Sequence, residues 1–436
     1  MIRKNILIIL PLLMLLPFAF FTSCEEEKVE PDEKDTLNQA FYDLMEEWYY
    51  WYEEIPEINP DNYDKSSTSE NLRDILNDIR YEKDTYSYIT SYEAFRQYVE
   101  KGSYTGYGFG SKWDEQDTLR LTFVFNDSPL KEEGIERGWA LTKIDGNKVT
   151  PENFDQLLGG GEHDFTFVSP SSQDTIKEKF ARKEISMNTV LKDTIIEYEG
   201  KDIGYLVLKS FINKTPDELT GVFRKFADEN IEELVVDLRY NGGGTLSASR
   251  FLGEFIINDD DVGEKTKTYV EISHNDKKAE ENDTTHVFGE DSLNISLGLD
   301  RTYFLTTQAT ASASEALING LKPHMDNGVH IIGEATYGKP VGMYAFTDDN
   351  KEYAFLPVCF ALKNDAGDAD YYDGLQPDAS MNDDFKQPFG SLDDDLLLQA
   401  LNHIVGRESA TKKALYKPIP ANEVEYRSLR DEIGAF

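Results

Sequence analysis

The chain has 436 residues and a formal net charge of −38, from 82 Asp and Glu against 44 Lys and Arg. Such a surface repels nucleic-acid backbones and anionic bilayers, which argues against both as main partners. The 12% of aromatic residues indicate a folded chain. The length predicts roughly two to four domains. Cys24 and Cys359 are the only cysteines, too few for a disulfide framework or a Cys-rich zinc site.

The N-terminus has the pattern of a secretory signal, with two basic residues before an apolar run from Ile6 to Phe21. A transmembrane anchor is the alternative, but the run contains two prolines and is shorter than the ~20 residues that a span needs. Phe21-Thr22-Ser23-Cys24 resembles a bacterial lipoprotein cleavage box. That resemblance implies a signal peptide over residues 1–23, lipidation of Cys24, and an acidic tether over residues 24–35.

Residues 36–103 are predicted to form a helical N-terminal domain. Asp35 can cap a helix that places Leu37, Phe41 and Leu44 on one face, and apolar residues from Leu72 to Ile79 repeat the helical spacing. The aromatic run from Trp48 to Tyr52 is interpreted as core and interdomain packing, with a sugar-binding platform as the alternative.

Residues 104–182 change to short strands and turns, with a predicted hairpin at Asp145-Gly146. The segment Gly106-Tyr107-Gly108-Phe109 resembles the G-L-G-F loop of PDZ domains. In such a loop, successive N–H groups hold a C-terminal carboxylate while the peptide adds as a strand to a sheet edge. The resemblance implies a PDZ-like domain whose peptide-binding residues are Gly106, Tyr107, Gly108 and Phe109.

Residues 183–400 alternate strands and helices, which predicts an α/β core with a largely buried sheet, followed by a C-terminal tail over residues 401–436. The polar segment 258–294 is predicted to be a long surface excursion. Its acidic run lacks the residue order of a calcium loop, so no metal site is predicted. The apolar run from Phe355 to Leu362 is predicted to be a buried strand that holds Cys359 as an inert thiol.

Three turns of this core carry groups suited to catalysis. A buried strand runs from Leu234 into Gly242-Gly243-Gly244, where bare backbone N–H groups can bind an oxyanion, although a tight turn is the plainer interpretation. Ser312 stands at the start of a predicted helix. It is either the N-cap of a Ser-x-x-Glu capping box or a nucleophile in the positive potential of the helix N-terminus. Lys339 is the only charged residue between Glu334 and Asp348, so desolvation could keep its amine neutral and basic; an exposed lysine is the alternative.

Taken in order, these motifs resemble those of the carboxyl-terminal processing peptidases, also called tail-specific proteases. The matching segments are D-L-R-Y-N-G-G-G, T-A-S-A-S-E and Y-G-K-P, preceded by the PDZ-like loop and followed by G-L-Q-P-D. The resemblance implies a multidomain α/β protein with a helical N-terminal region, a PDZ-like domain and a crotonase-like peptidase core.

The same resemblance implies site residues and an activity. Ser312 would be the nucleophile and Lys339 the base, with an oxyanion hole from the N–H of Ala313 and from the glycine turn, at Gly242 or Gly243. Many members have glutamine four residues after the lysine, where this chain has Met343.

The implied protein is an envelope serine endopeptidase that cleaves proteins or peptides near their free C-termini. It would need no cofactor or metal, bind no nucleic acid, and touch the membrane only through its lipid anchor, on the periplasmic face or the outer-membrane surface; the oligomeric state stays open. A catalytically weak or inactive peptide-binding lipoprotein of the same fold is the main alternative, and a glycan-binding surface protein is a third.

Overall fold

The computed structural model describes residues 37–172, 174–257, 267–289 and 295–407. The predicted signal peptide, Cys24 and the tether lie outside the described residues, as does the tail beyond position 407. Within the described ranges, no helix combines the length and the apolar character needed to cross a bilayer.

The N-terminal part consists mainly of amphipathic helices that pack on the core. Its elements are α1 (Leu37–Trp48), α2 (Thr68–Ile79), β1 (Tyr88–Ser91) and α3 (Tyr92–Val99). Ser67 and Ser91 accept backbone N–H groups and so cap α2 and α3. Trp48 and Tyr49 are buried in the hydrophobic cluster that α1 and α2 share with the core, which confirms the packing interpretation of this aromatic run. β1 is a strand inside the region predicted to be helical, because it pairs with Tyr353–Leu356.

The region that the sequence predicts to be PDZ-like, residues 104–182, is a β-rich unit with its own hydrophobic cluster. Its elements are β2 (Ser103–Gly106), β3 (Phe109–Trp113), β4 (Leu119–Val124), α4 (Pro129–Glu132), β5 (Ala140–Ile144), β6 (Asn147–Lys148), α5 (Phe154–Leu158), β7 (Glu162–Val168), β8 (Thr175–Ala181) and β9 (Lys183–Ser186). The sheet order is β3-β4-β5-β7-β8, with β6 beside β5, so β3 occupies an edge. Asp145 and Gly146 both have positive φ, 50° and 79°, as the two-residue turn between β5 and β6 requires; the predicted hairpin is confirmed.

The α/β core is built on a six-stranded sheet. Its elements are β10 (Val190–Tyr198), β11 (Lys201–Leu208), α6 (Thr215–Asp228), β12 (Glu233–Asp237), α7 (Leu246–Ile256), β13 (Thr268–His274), α8 (Ala279–Asn282), β14 (Thr284–Val287), β15 (Thr302–Thr306), α9 (Ala313–Leu321), β16 (Val329–Gly333), β17 (Val341–Met343), β18 (Phe346–Thr347), β19 (Tyr353–Leu356), β20 (Val358–Lys363), β21 (Ala379–Ser380) and α10 (Asp395–Ile404). The order is β10-β11-β12-β15-β16-β21, antiparallel between β10 and β11 and parallel elsewhere.

Both faces of this sheet are buried, which explains its continuous apolar strands. One face packs on α6, α7 and α9, and the other packs on α10. Each large apolar side chain buried in this way stabilises the fold by about 1.5–3 kcal/mol. α10 runs across position 400, where the sequence predicted the start of the tail, because Leu401 and Ile404 bury against the sheet.

Two predictions for the core are wrong in detail. Segment 258–294 is not simply a surface excursion: its described part contains β13, which pairs with both β14 and β20 and buries Tyr269 and Ile272. The predicted strand from Phe355 to Leu362 is instead the end of β19 and most of β20, interrupted at Pro357, which has no N–H for a ladder. Cys359 lies fully buried in β20, and burial raises the pKa of its thiol to about 12, which fits an inert thiol.

Candidate active site

The three turns that carry candidate catalytic groups lie at the carboxyl ends of three neighbouring strands in the central sheet. The strands β12, β15 and β16 are parallel neighbours, so their carboxyl ends lie side by side at the same end of the sheet. The glycine turn follows β12, Ser312 follows β15, and Lys339 follows β16. The topology therefore brings together residues that the sequence separates by up to a hundred positions.

Ser312 is half-buried and stands immediately before α9, whose residues are all buried. Its backbone has φ 58° and ψ −117°, in a sparsely populated region that costs about 1–3 kcal/mol for a residue with a Cβ. The position at the start of a buried helix places the serine in positive electrostatic potential, which stabilises negative charge on oxygen.

The glycine turn packs directly on Ser312. A Cβ at Gly243, where φ is +100°, would lie 2.8 Å from the Cβ of Ser312 and 2.9 Å from the nitrogen of Ala313, so only glycine fits. Asn241 holds the turn in place: its Oδ1 accepts the N–H of Gly243 at 2.9 Å, and its backbone oxygen accepts the Ser314 hydroxyl at 3.0 Å.

This geometry distinguishes the two glycines proposed for the oxyanion hole. The N–H of Gly243 already donates to Asn241, so it is committed to the turn. Among the described residues, the N–H groups of Gly242 and Ala313 have no hydrogen-bond acceptor. The pair available to an incoming oxyanion is therefore Gly242 and Ala313.

Lys339 is only 9% exposed and lies in a tightly packed turn. Its Nζ is 3.6 Å from the Sδ of Met343 and 5.8 Å from the centre of the Tyr86 ring. The Tyr86 hydroxyl donates to the backbone oxygen of Gly338 at 2.5 Å, and a Cβ at Gly338 would meet the backbone of Tyr372 at 2.2 Å. The amine therefore lies among aromatic and thioether groups and is not an ordinary surface lysine.

Glu315 connects the two predicted catalytic residues. It is fully buried, and its Oε2 accepts the backbone N–H of Ser312 at 2.8 Å and that of Lys339 at 2.9 Å. Its Oε1 accepts the Thr336 hydroxyl at 2.5 Å and the Gly338 N–H at 2.7 Å. Burial raises the pKa of Glu315, while these four hydrogen bonds oppose the shift. The sequence suggested only the bond to Ser312, through the capping-box pattern; the other three come from the turn that carries Lys339.

A buried charge network connects the end of β12, just before the glycine turn, with the β-rich unit. Arg239 binds Asp237, Asp383 and Asp394, and Asp383 also binds Arg137, which follows α4. Burial alone would raise the pKa of Asp383, but Arg137 and Arg239 outweigh it and hold that pKa well below its usual range. Sequence reasoning missed this network; the only local signal was the Asp-x-Arg spacing at the end of β12.

The loop from Gly106 to Phe109, which the sequence predicts to be PDZ-like, is a separate candidate binding site. The Tyr107 ring is buried in the cluster of that unit, Gly108 has φ +81°, and the Ser128 hydroxyl donates to the backbone oxygen of Tyr107 at 2.7 Å. Among the described residues, the N–H groups of Tyr107 and Gly108 have no acceptor. They precede the edge strand β3, which starts at Phe109, whereas Gly106 ends β2.

The described residues contain no group of three or more His, Cys, Asp or Glu side chains placed to hold a metal ion.

Comparisons with known proteins relate the chain to a family of peptidases. The sequence profile of Peptidase family S41 matches residues 202–381, and that of the Peptidase S41 N-terminal domain matches residues 36–88. A probable CtpA-like serine protease of Staphylococcus haemolyticus is 26% identical over 305 residues, covering 69% of this chain and 57% of the relative. One of Staphylococcus aureus is 25% identical over 334 residues, covering 74% and 63%. The chain thus spans about three fifths of the length of these curated relatives.

Two solved structures share the fold. A Bacteroides fragilis protein assigned to the S41 proteases superposes with a TM-score of 0.69 at 24% identity, covering 86% of this chain and 99% of the other. The photosystem II D1 C-terminal processing protease gives a TM-score of 0.50 at 18% identity, covering 84% and 96%.

The mixed α/β core, with its helical N-terminal region, has the architecture of a serine peptidase. The chain belongs to peptidase family S41, in which the C-terminal processing proteases are found.

Proposed function

We propose that this protein is an envelope serine endopeptidase that cleaves polypeptides near their C-termini through a Ser312–Lys339 dyad. The observation that carries the proposal is the single carboxylate oxygen of Glu315, which accepts the N–H of both residues. Because the two chain segments are tied to one buried atom, the relative position of their backbones is fixed before a substrate arrives.

In the proposed reaction, the neutral amine of Lys339 takes the proton of the Ser312 hydroxyl as the oxygen attacks a peptide carbonyl. Burial among apolar side chains favours the neutral amine, because desolvation penalises the ammonium form. The N–H groups of Gly242 and Ala313 stabilise the oxyanion, and each such donor contributes roughly 2.7–4 kcal/mol in known cases. Lys339 then protonates the leaving amine, and water hydrolyses the acyl-enzyme.

The PDZ-like loop is proposed to select the substrate by its free C-terminus. The unpaired N–H groups of Tyr107 and Gly108 suit a carboxylate, and the open edge of β3 suits strand addition by the residues before it.

Lipidation at Cys24 would hold the protein at the periplasmic face of a membrane or at the outer-membrane surface. The net charge of −38 fits a partner that is neither nucleic acid nor an anionic lipid surface.

A peptide-binding lipoprotein with weak or no catalysis is the second candidate. The observation that favours it is Met343, a thioether at the position where the resemblance leads one to expect a glutamine beside the lysine. The intact Ser312, Lys339 and glycine turn support the enzyme instead.

The test is a cleavage assay on peptides that differ only in a free or an amidated C-terminus, with products identified by mass. We expect cleavage by the wild type and by Ser314→Ala, and none by Ser312→Ala or Lys339→Ala. Ser314 is the matched control, since its hydroxyl lies two residues along the same helix and donates to Asn241. Amidation should slow cleavage if the PDZ-like loop reads the carboxylate. Cleavage that persists in Ser312→Ala contradicts the proposed dyad.

A further inference from the structure

The residue that contacts the proposed base carries an oxidisable sulfur. Met343 ends β17, at the edge of the sheet ordered β14-β13-β20-β17, and its Sδ lies 3.6 Å from the Nζ of Lys339. A thioether is only a weak hydrogen-bond acceptor. The amine is therefore in contact with a group that does little to stabilise its charged form.

Met343 is also one of the two described methionines whose side chains are not fully buried. Of the described methionines, Met45, Met187 and Met325 are 0%, 2% and 5% exposed, whereas Met343 and Met381 are half-buried. Susceptibility of methionine to oxidation follows exposure. Among the residues that the structure describes, oxidation should therefore concentrate at Met343 and Met381.

We propose that Met343 is a reversible oxidation site through which hydroperoxides switch off the proposed dyad. The inference rests on the proposed function. In the reaction, a sulfur lone pair attacks one peroxide oxygen, the O–O bond breaks, and an S–O bond forms. The sulfur loses two electrons, the proton of the attacked oxygen passes to the departing oxygen, and that second oxygen leaves as an alcohol or, from hydrogen peroxide, as water. Methionine sulfoxide reductases reverse the change.

The sulfoxide alters the surroundings of the base. Its oxygen is a strong, polar acceptor within reach of Lys339 Nζ, and a hydrogen bond to the charged form favours that form. Groups that contact the turn of Lys339 include the Glu315 carboxylate of α9, which accepts the backbone N–H of Lys339, and the Tyr86 ring ahead of β1. Conditions that form the methionine sulfoxide leave both of these groups unoxidised, so the sulfoxide oxygen is the acceptor that oxidation adds at this contact. The base then holds its proton, and the pH range of activity moves upward.

The experiment treats the mature protein with hydrogen peroxide and then measures two quantities. The first is the sulfoxide content of Met343 and Met381 by peptide mass mapping, and the second is the rate of Ser312 labelling by a fluorophosphonate across a pH series. Met343→Leu keeps the volume and removes the sulfur, and Met381→Leu is the matched control. Each variant is compared with its own untreated sample.

We expect wild type and Met381→Leu to lose labelling in proportion to Met343 sulfoxide, by about tenfold at neutral pH for each unit that the profile moves. Sulfoxide reductase should restore the rate, and Met343→Leu should keep its own untreated rate. The proposal is overturned if fully oxidised Met343 leaves the rate unchanged, if Met343→Leu is equally inhibited, or if only Met381 is oxidised. Absence of labelling in the untreated wild type would instead contradict the proposed function, and the mass map would still show whether Met343 is the oxidised site.

Discussion

Replacement of Glu315 by glutamine tests the connection between the two halves of the dyad. Glutamine has nearly the same size but offers one acceptor oxygen where the carboxylate offers two. In the best orientation its oxygen keeps the N–H groups of Ser312 and Lys339, and its NH₂ group faces the Thr336 hydroxyl, which can rotate to accept. The N–H of Gly338 then loses its acceptor in a fully buried site.

An unsatisfied buried donor costs about 1–3 kcal/mol. If the turn that carries Lys339 shifts in response, and the same free energy is added to the activation barrier, labelling of Ser312 slows by about 5- to 150-fold. Each 1.36 kcal/mol of activation free energy is a factor of ten in rate. At roughly 2–4 °C per kcal/mol for a domain of this size, the thermal midpoint falls by about 2–12 °C. The assays are fluorophosphonate labelling rates at a temperature well below the midpoint and a thermal unfolding scan.

Glu218→Gln is the matched control, because the carboxylate of Glu218 also accepts backbone N–H groups, from Thr189 and Val190, but does so between α6 and the start of β10. One oxygen, Oε2, accepts both of these N–H groups, so a glutamine oxygen can keep them, and Glu218→Gln should label Ser312 at the wild-type rate. A Glu315→Gln protein that labels at the wild-type rate while its midpoint falls would refute the reasoning, because Glu315 would then support the fold and not the dyad.

Two other substitutions test neighbouring parts of the site. Gly243→Ala should abolish labelling, because its Cβ would lie 2.8 Å from that of Ser312; Gly146→Ala, at φ +79° in open space, should keep it, and equal labelling in both would contradict the packing. Asp383→Asn should destabilise the protein by about 3–5 kcal/mol, because Arg137 and Arg239 lose a buried carboxylate. The lowered pKa of Asp383 means that its stabilisation is present above the ordinary aspartate pKa of about 3.9 and is lost as the pH falls below it. Thermal scans between about pH 5 and pH 2 should therefore show a smaller loss of stability in Asp383→Asn than in the wild type, and an equal loss would contradict that assignment.

The sequence predicted the parts of the site that local patterns encode. The strands before the three turns are continuous apolar runs, and each turn carries a short motif, so the placement of Ser312 and Lys339 at strand ends followed from chain order and from the family resemblance. That the two residues lie at the same end of the sheet could be stated only from the structure, in which their strands are parallel neighbours.

The sequence did not predict the contacts made across long separations. Glu315 receives three of its hydrogen bonds from residues 21 to 24 positions away, and the capping-box pattern does not predict them. Arg137 and Asp383 are 246 positions apart, and neither belongs to a motif. β13 was missed for a different reason. Its apolar residues alternate as in a strand, but they lie in an acidic, polar segment whose composition indicated a surface loop.

Mass analysis of the protein after reaction with a fluorophosphonate tests the central claim most directly. We expect one adduct, on the peptide that contains Ser312, which is still formed by Ser314→Ala and is lost in both Ser312→Ala and Lys339→Ala. An adduct on a different serine, or undiminished labelling in a folded Lys339→Ala protein, would contradict the claim that a buried lysine activates Ser312.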